Sequence, residues 1–398
     1  MDLTANVAAM PSRPSFVTMV RAWGRIGCLG FGGPPTHIAM FRQLCVTDRG
    51  WLTAQEFEDA IAACNLLPGP ASTQLSIYCA WRLRGRAGAL VGGLAFIVPG
   101  LVAVLALAAL FLAGAPPWWV RAAGAGGGAA VAAVAVHAGV GLLPASWRRA
   151  RAVSRTRWPL YLAAGIAGAA TLGPWLVLPL LGCGLVELAA RRATLGHGAG
   201  GRLATMPPIP LLAAGTAAAG SGLLALAWVA VKVGLLSYGG GFVIIPLMQA
   251  DAVDHYHWMT AAQFLNAVAL GQITPGPVVH TVAAVGYAAG GLAGGLLAAA
   301  VAFTPSFAFI LIGGPHFDRL RTNPRIRTFL DGAGAAALGA ILGSAIPLAL
   351  ALHTGWEYAV LAGASVLLLV ARRGVVLTLL AAALTGIIIG AAGGPVPT

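Results

Sequence analysis

Charge is what this chain has least of. Only 9% of its 398 residues are Asp, Glu, Lys or Arg, against about 25% in soluble domains. A soluble globular protein is thereby excluded. Cysteine is also scarce: Cys28, Cys45, Cys64, Cys79 and Cys183 contain no C-x-x-C pair. They read as small apolar packing residues, and support neither a disulfide framework nor a metal site. The ATP-binding signature G-x-x-x-x-G-K-[ST] is missing, so concentrative transport would need an ion gradient or the membrane potential. The start, MDLTANVAAMPSRPS, lacks an apolar core with a cleavage site, and no removable signal peptide is expected.

What is present is apolar. Hydrophobic residues make up 59% of the chain and mean hydropathy is +0.85. Runs of roughly 20 apolar residues suit membrane helices. They lack the alternation of an outer-membrane barrel. The 55 glycines and 25 prolines fit helices packed closely in lipid. Net charge is +13. The basic residues lie in short loops, which points to the positive-inside rule and not to nucleic-acid binding.

The chain contains an internal repeat. LLPGP and ITPGP are offset by 207 positions, Pro68 to Pro275. The same offset relates Gly27 to Gly234, Gly32-Gly33 to Gly239-Gly240, Trp51 to Trp258, Thr53 to Thr260, Phe57 to Phe264 and Phe96 to Phe303. A gapless offset over this span is a duplication. The units expected are a first repeat over 15–190, a linker over 191–221 and a second repeat over 222–392.

Loop charge gives the orientation. Arg-rich loops at 82–86, 145–158, 191–202, 318–327 and 371–374 should be cytoplasmic. Loops 115–119, 172–174, 288–295 and 353–357 lack Lys and Arg, and fit the other side. Equivalent loops of the two halves have swapped sides. The fold expected is therefore an all-α integral membrane protein with two inverted-topology repeats, broken helices and about 10–13 membrane segments. Residues 15–48 and 52–82 each contain a break and either cross or are re-entrant. If both cross, six spans per half with an extra span at 208–224 give thirteen. If one is re-entrant, five spans per half need no extra; if both are, four spans per half again need the extra one.

Pro-Gly-Pro inside an apolar segment ends a helix. At membrane depth such a break must line a buried or wet cavity. The half-helix that restarts there directs free N–H groups and a positive dipole end into the cavity, which attracts an anion. The first candidate set is Pro68, Gly69, Pro70, Ser72, Thr73 and Gln74. The second is Pro275, Gly276, Pro277 and His280. Gly32 and Gly33, with Gly239 and Gly240, form a second pair of breaks, followed by His37 in the first half only. Arg25 and Lys232 share one repeat position, within apolar stretches. They are either anion-binding cations or interfacial anchors. Asn65 and Gln272 precede the two breaks, and either bind substrate or tie the broken helix. Glu56, Glu58 and Asp59 read as a solvated face or as ion-pair partners for Arg42 or Arg49. Asp331 is the one carboxylate in a span available to carry a proton.

FGGPPTH (31–37), GWLTAQEFEDAIAACNLLPGP (50–70) and HWMTAAQFLNAVALGQITPGP (257–277) resemble the CHR-type chromate ion transporter family, in its long two-domain form. The likeness covers about 15–110 and 222–317 well. It implies a bacterial inner-membrane protein that exports chromate, confers resistance and is driven chemiosmotically. Chromate mimics sulfate in charge and shape, so sulfate is the implied competitor. YGGGFVI (238–244) departs from the pattern by lacking Pro and His, leaving His37 without a symmetric partner. The expected partners are the transported oxyanion and the lipid bilayer, with a homodimer open. No cofactor, metal or nucleic acid is expected. A sulfate permease, an anion channel and a membrane-embedded enzyme stay as alternatives. The enzyme is least supported, since the sequence has no H-x-x-x-H, no paired acids in equivalent spans and no G-x-S-x-G.

Overall fold

The structure, a computed structural model, describes residues 14–64, 67–112, 116–151, 155–195, 222–237, 242–313 and 323–396. Those residues form helices and no strand. In the first half these are α1 (Phe16–Leu29), α2 (Pro34–Arg42), α3 (Ala54–Cys64), α4 (Ala71–Phe111), α5 (Trp118–Ala129), α6 (Val131–Arg151), α7 (Arg157–Thr171) and α8 (Val177–Leu195). The second half has α9 (Gly222–Leu236), α10 (Ile244–Gln249), α11 (Ala261–Ile273), α12 (Thr281–Gly313), α13 (Pro324–Leu350), α14 (Gly355–Ser365) and α15 (Val375–Ala391). The chain is an all-α membrane protein. Residues 71–111, 118–148, 278–313 and 324–350 are apolar helices long enough to cross a bilayer. Most of the extra span expected at 208–224 lies outside the described residues.

Polar residues start the helices where the sequence offers them. Ser15 accepts from the Thr18 N–H, Thr260 and Gln263 cap α11 reciprocally, and Thr354 with Glu357 does the same for α14. Helix α4 is not a rod. At Arg84 and Gly85 the backbone leaves helical geometry, and Gly85 takes φ +60°. Gly290 and Gly291 break α12 in the same way, with Gly291 at φ +61°. A side chain would strain both positions. Beyond each break the chain folds back: a Cβ on Gly88 would lie 2.4 Å from the Ala80 carbonyl oxygen, and one on Gly294 2.3 Å from that of Gly286. Each helix is thus a short arm (71–83, 281–289) and a long arm (86–111, 292–313).

The first-half breaks also turn back. Glu56, in the first turn of α3, pairs with Arg82 at the far end of the short arm. Two collinear half-helices would hold these residues roughly 35 Å apart. Trp23, halfway along α1, stacks on Trp51 with centroids 6.2 Å apart. The described parts of segments 15–48 and 52–82 therefore double back as hairpins, as the re-entrant form expects, and do not run straight on. In the second half Lys232 Nζ lies 2.5 Å from Asp251 Oδ2, so α10 doubles back toward α9. The tips of α11 and α12 meet where Gly271 abuts Thr281.

Small residues draw the long helices together across the halves. A Cβ on Gly165 of α7 would sit 1.9 Å from the Ala336 carbonyl of α13, and one on Gly126 of α5 2.2 Å from the Ala382 carbonyl of α15. Midway along α8, Glu187 is 2% exposed. It accepts from Arg157 Nε (2.8 Å), Arg191 Nε (2.9 Å) and the Tyr161 hydroxyl (3.0 Å). Arg191 also reaches Asp331 (2.6 Å), tying α8 to α13. Asp331 is therefore committed to an ion pair, and it is not the one carboxylate in a span. Glu187, Asp251 and Glu357 are all buried.

Candidate functional site

Pro70 and Pro277 cap the half-helices that follow them, at φ −75° and −64°. Gly69 and Gly276 between the prolines have φ +114° and +91°, open to glycine. The first turn is closed by Gln74, whose Nε2 donates to the Pro68 carbonyl at 2.6 Å. In the second, Thr274 Oγ1 donates to the Leu270 carbonyl at 2.9 Å, sealing the end of α11.

The turns converge. The Gly276 N–H donates to the Gly30 carbonyl at 3.0 Å. The same carbonyl accepts from His37 Nε2 at 2.8 Å. A carbonyl only accepts, so Nε2 carries the proton. The neutral ring then presents Nδ1 as acceptor to the Ser72 hydroxyl at 3.3 Å. Ser72, His37, Gly30 and Gly276 make one hydrogen-bonded chain from the first half-helix to the second turn. Val278 also contacts the Gly33 position, where a Cβ would be 3.8 Å away.

Each turn lies against the opposite half at an equivalent glycine. A Cβ on Gly69 would be 3.1 Å from the Gly234 carbonyl, and one on Gly276 3.8 Å from that of Gly27. His280 mirrors His37 in packing though not in sequence register. His37 meets Phe96 edge-on at 5.1 Å, and His280 meets Phe303 at 5.3 Å with planes 69° apart. His37 thus has a counterpart after all, supplied from a different repeat position.

The arrangement is buried and polar. Ser72, Thr73, Gln74, Ser76, His37, His280 and Ser306 are all at most 1% exposed. Thr73 Oγ1, Gln74 Oε1, Ser76 Oγ, Gln272 Nε2, Ser306 Oγ and both His280 nitrogens lack a hydrogen-bond partner. Unsatisfied buried polar atoms are few in native proteins, and this group gathers about two half-helix starts. The first N–H groups of those helices have no carbonyl one turn earlier. With those N–H groups, the Thr73, Ser76 and Ser306 hydroxyls and the Gln272 amide nitrogen can donate to a buried anion, whereas Gln74 Oε1 only accepts. Among the described residues no group of three or more His, Cys, Asp or Glu could hold a metal ion.

Two sequence candidates are not brought in. Arg25 is exposed on α1, and Lys232 is spent on Asp251. Arg42 pairs with Glu58 at 3.1 Å, at the base of the hairpins and away from their tips. Asn65, Gly239 and Gly240 lie outside the described residues, and Gly32 is exposed. Sequence reasoning missed Gly30, Ser306 and Asp251. Gly30 and Ser306 have no repeat-equivalent of their own type, and Asp251 resembles a loop acid. The ion pair yields a prediction. Lys232→Met should leave Asp251 charged, buried and alone, lowering folded yield, while Lys232→Met with Asp251→Leu should recover it. Size-exclusion profiles of the two variants check this; equal yields would remove the pair's structural role.

An all-α membrane protein whose hairpins bring polar half-helix ends together has the architecture of a transporter. The chromate transporter family model matches residues 17–188 and 224–387, and the chain belongs to that family. It is 31% identical over 359 residues to a chromate transport protein of Cupriavidus metallidurans, covering 87% of this chain and 86% of that one. It is 30% identical over 327 residues to a probable chromate transport protein of Synechococcus elongatus, covering 81% and 82%. An uncharacterised transporter of Methanocaldococcus jannaschii is 26% identical over 397 residues, 95% of each chain. No solved structure matches.

Proposed function

We propose that this protein carries chromate out across the bacterial inner membrane, as a multi-pass transporter and not an enzyme. The observation that carries the reading is the meeting of two half-helix starts around buried, unpartnered donors. Relatives that bear the name of chromate transport cover most of the chain. The dianion would sit between the Ser72–Gln74 and Val278–Thr281 ends, with Gln272 and Ser306 beside it.

The halves are inverted in this reading. The two stretches matched by one family, 17–188 and 224–387, and the reciprocal glycine contacts across the 207-residue offset favour it. Sidedness agrees. Arg84 Nε donates to the Pro14 carbonyl at 2.7 Å, and Arg191 meets Asp331, joining ends expected in the cytoplasm. Trp356 Nε1 donates to the Pro395 carbonyl at 2.9 Å, joining ends expected outside. With four crossing helices in each half, inversion requires one further crossing between the halves. Outward movement of a dianion gains roughly 2.3 kcal/mol per charge per 100 mV from a potential negative inside.

The test is chromate accumulation in everted membrane vesicles. Saturable uptake driven by an inside-positive potential, reduced by competing sulfate, is expected. Linear, unsaturable flux would favour a channel, and sulfate uptake without chromate uptake a sulfate permease.

A further inference from the structure

The site lacks a free fixed cation among its described residues, since Arg25 faces outward and Lys232 is neutralised. Half-helix ends and neutral donors alone would meet a dianion. His280 stands apart within this set. It is fully buried, three residues after Pro277 in the first turn of its half-helix. By strict geometry neither ring nitrogen has a hydrogen-bond partner, although the Ile97 carbonyl comes close enough to accept a weak one. A buried polar group left unmet is costly and calls for an absent partner.

The surroundings narrow that partner. The ring edge faces the second turn, where a Cβ on Gly276 would lie 3.1 Å from its Cε1, and the long arm of α4, where one on Gly100 would lie 2.6 Å away. Phe303 covers it from α12. The titratable group within electrostatic reach is His37 on α2, whose nitrogens are engaged by Gly30 and Ser72. Among the described residues no carboxylate is within such reach. A metal would want further ligands, and the described residues supply none here. An anion wants a donor, and a protonated imidazole supplies donors at both nitrogens.

We propose that His280 is the site's switchable charge: it takes up one proton as the dianion binds and releases that proton when the anion leaves. The inference rests on the chromate-transport reading. An imidazolium buried without a counter-charge is strongly disfavoured, and the dianion provides the counter-charge, so binding and protonation reinforce each other. The proton comes from water on the side where the anion enters. The loaded site then carries one net negative charge in place of two.

Purified protein titrated with chromate in a calorimeter at about pH 8, where imidazole is ordinarily neutral and chromate is the dianion, tests this. Buffers of different ionisation enthalpy report protons exchanged. Wild type should take up close to one proton per chromate, and its affinity should fall by up to about tenfold per pH unit above neutrality. His280→Gln, with His280→Asn as a second variant, should bind about tenfold or more weakly, with no proton uptake and a flat pH profile. Wild-type binding without proton exchange overturns the inference, as does undiminished uptake in a folded variant. Failure of wild type to bind chromate at all would instead remove the transport reading.

Discussion

Replacing Pro68, Gly69 and Pro70 together by alanine is expected to lower chromate transport by about a hundredfold or more, the scale on which displaced binding groups act. Alanines favour a continuous helix from α3 into α4. That would pull Ser72 away from His37 and break the chain that runs through Gly30 to Gly276. Even one methyl group is badly placed, since at Gly69 it would lie 2.8 Å from Gln74 Nε2 with φ at +114°. The long helices that hold the molecule together are untouched, so the variant should insert and elute as one species. Transport at the wild-type rate in such a sample would disconnect the turn from the anion path.

The second large effect concerns stability. Glu187→Ala should lower the thermal midpoint in detergent markedly, with a loss of about 2–4 kcal/mol, because it removes the carboxylate that Arg157, Arg191 and Tyr161 share and leaves a buried vacancy. The upper end is tempered by the arginines, whose side chains are 30% and 22% exposed. Glu187→Gln keeps the volume and a hydrogen bond, and should lose less. Transport per folded molecule should stay within a few-fold of wild type, since the cluster binds no substrate. An unchanged midpoint for the alanine variant would mean that the arginines find water without cost.

Much of this was legible in the chain itself. Low charge, apolar runs and Arg-rich loops are one-dimensional signals, and they specify a helical membrane protein without tertiary information. The constant offset between Pro68 and Pro275 likewise marked both turns that meet in the structure. What the sequence could not carry was direction after a break. Pro-Gly-Pro ends a helix whether the chain continues or doubles back, and only the pairing of Glu56 with Arg82 distinguishes the two. Side-chain partners were equally hidden. Arg25 and Lys232 occupy equivalent positions, yet position 44, opposite Arg25 in the repeat, is Leu, while Lys232 meets Asp251. His37 and His280 share no register, so repeat alignment could not relate them; their common packing on Phe96 and Phe303 does.

The glycine contacts between α5 and α15, and between α7 and α13, bear on how the protein is made. These helices lie on opposite sides of the 196–221 segment, so each half leaves its small-residue faces bare until the other has been synthesised. A ribosome releases α5 and α7 into the bilayer long before α13 and α15 exist. During that interval the early helices must wait as separate inserted rods, with Glu187 and its arginines only partly enclosed. Biogenesis should then be most vulnerable to quality-control proteolysis midway through translation, and the fold should consolidate late, as the last three helices slide between those already in place.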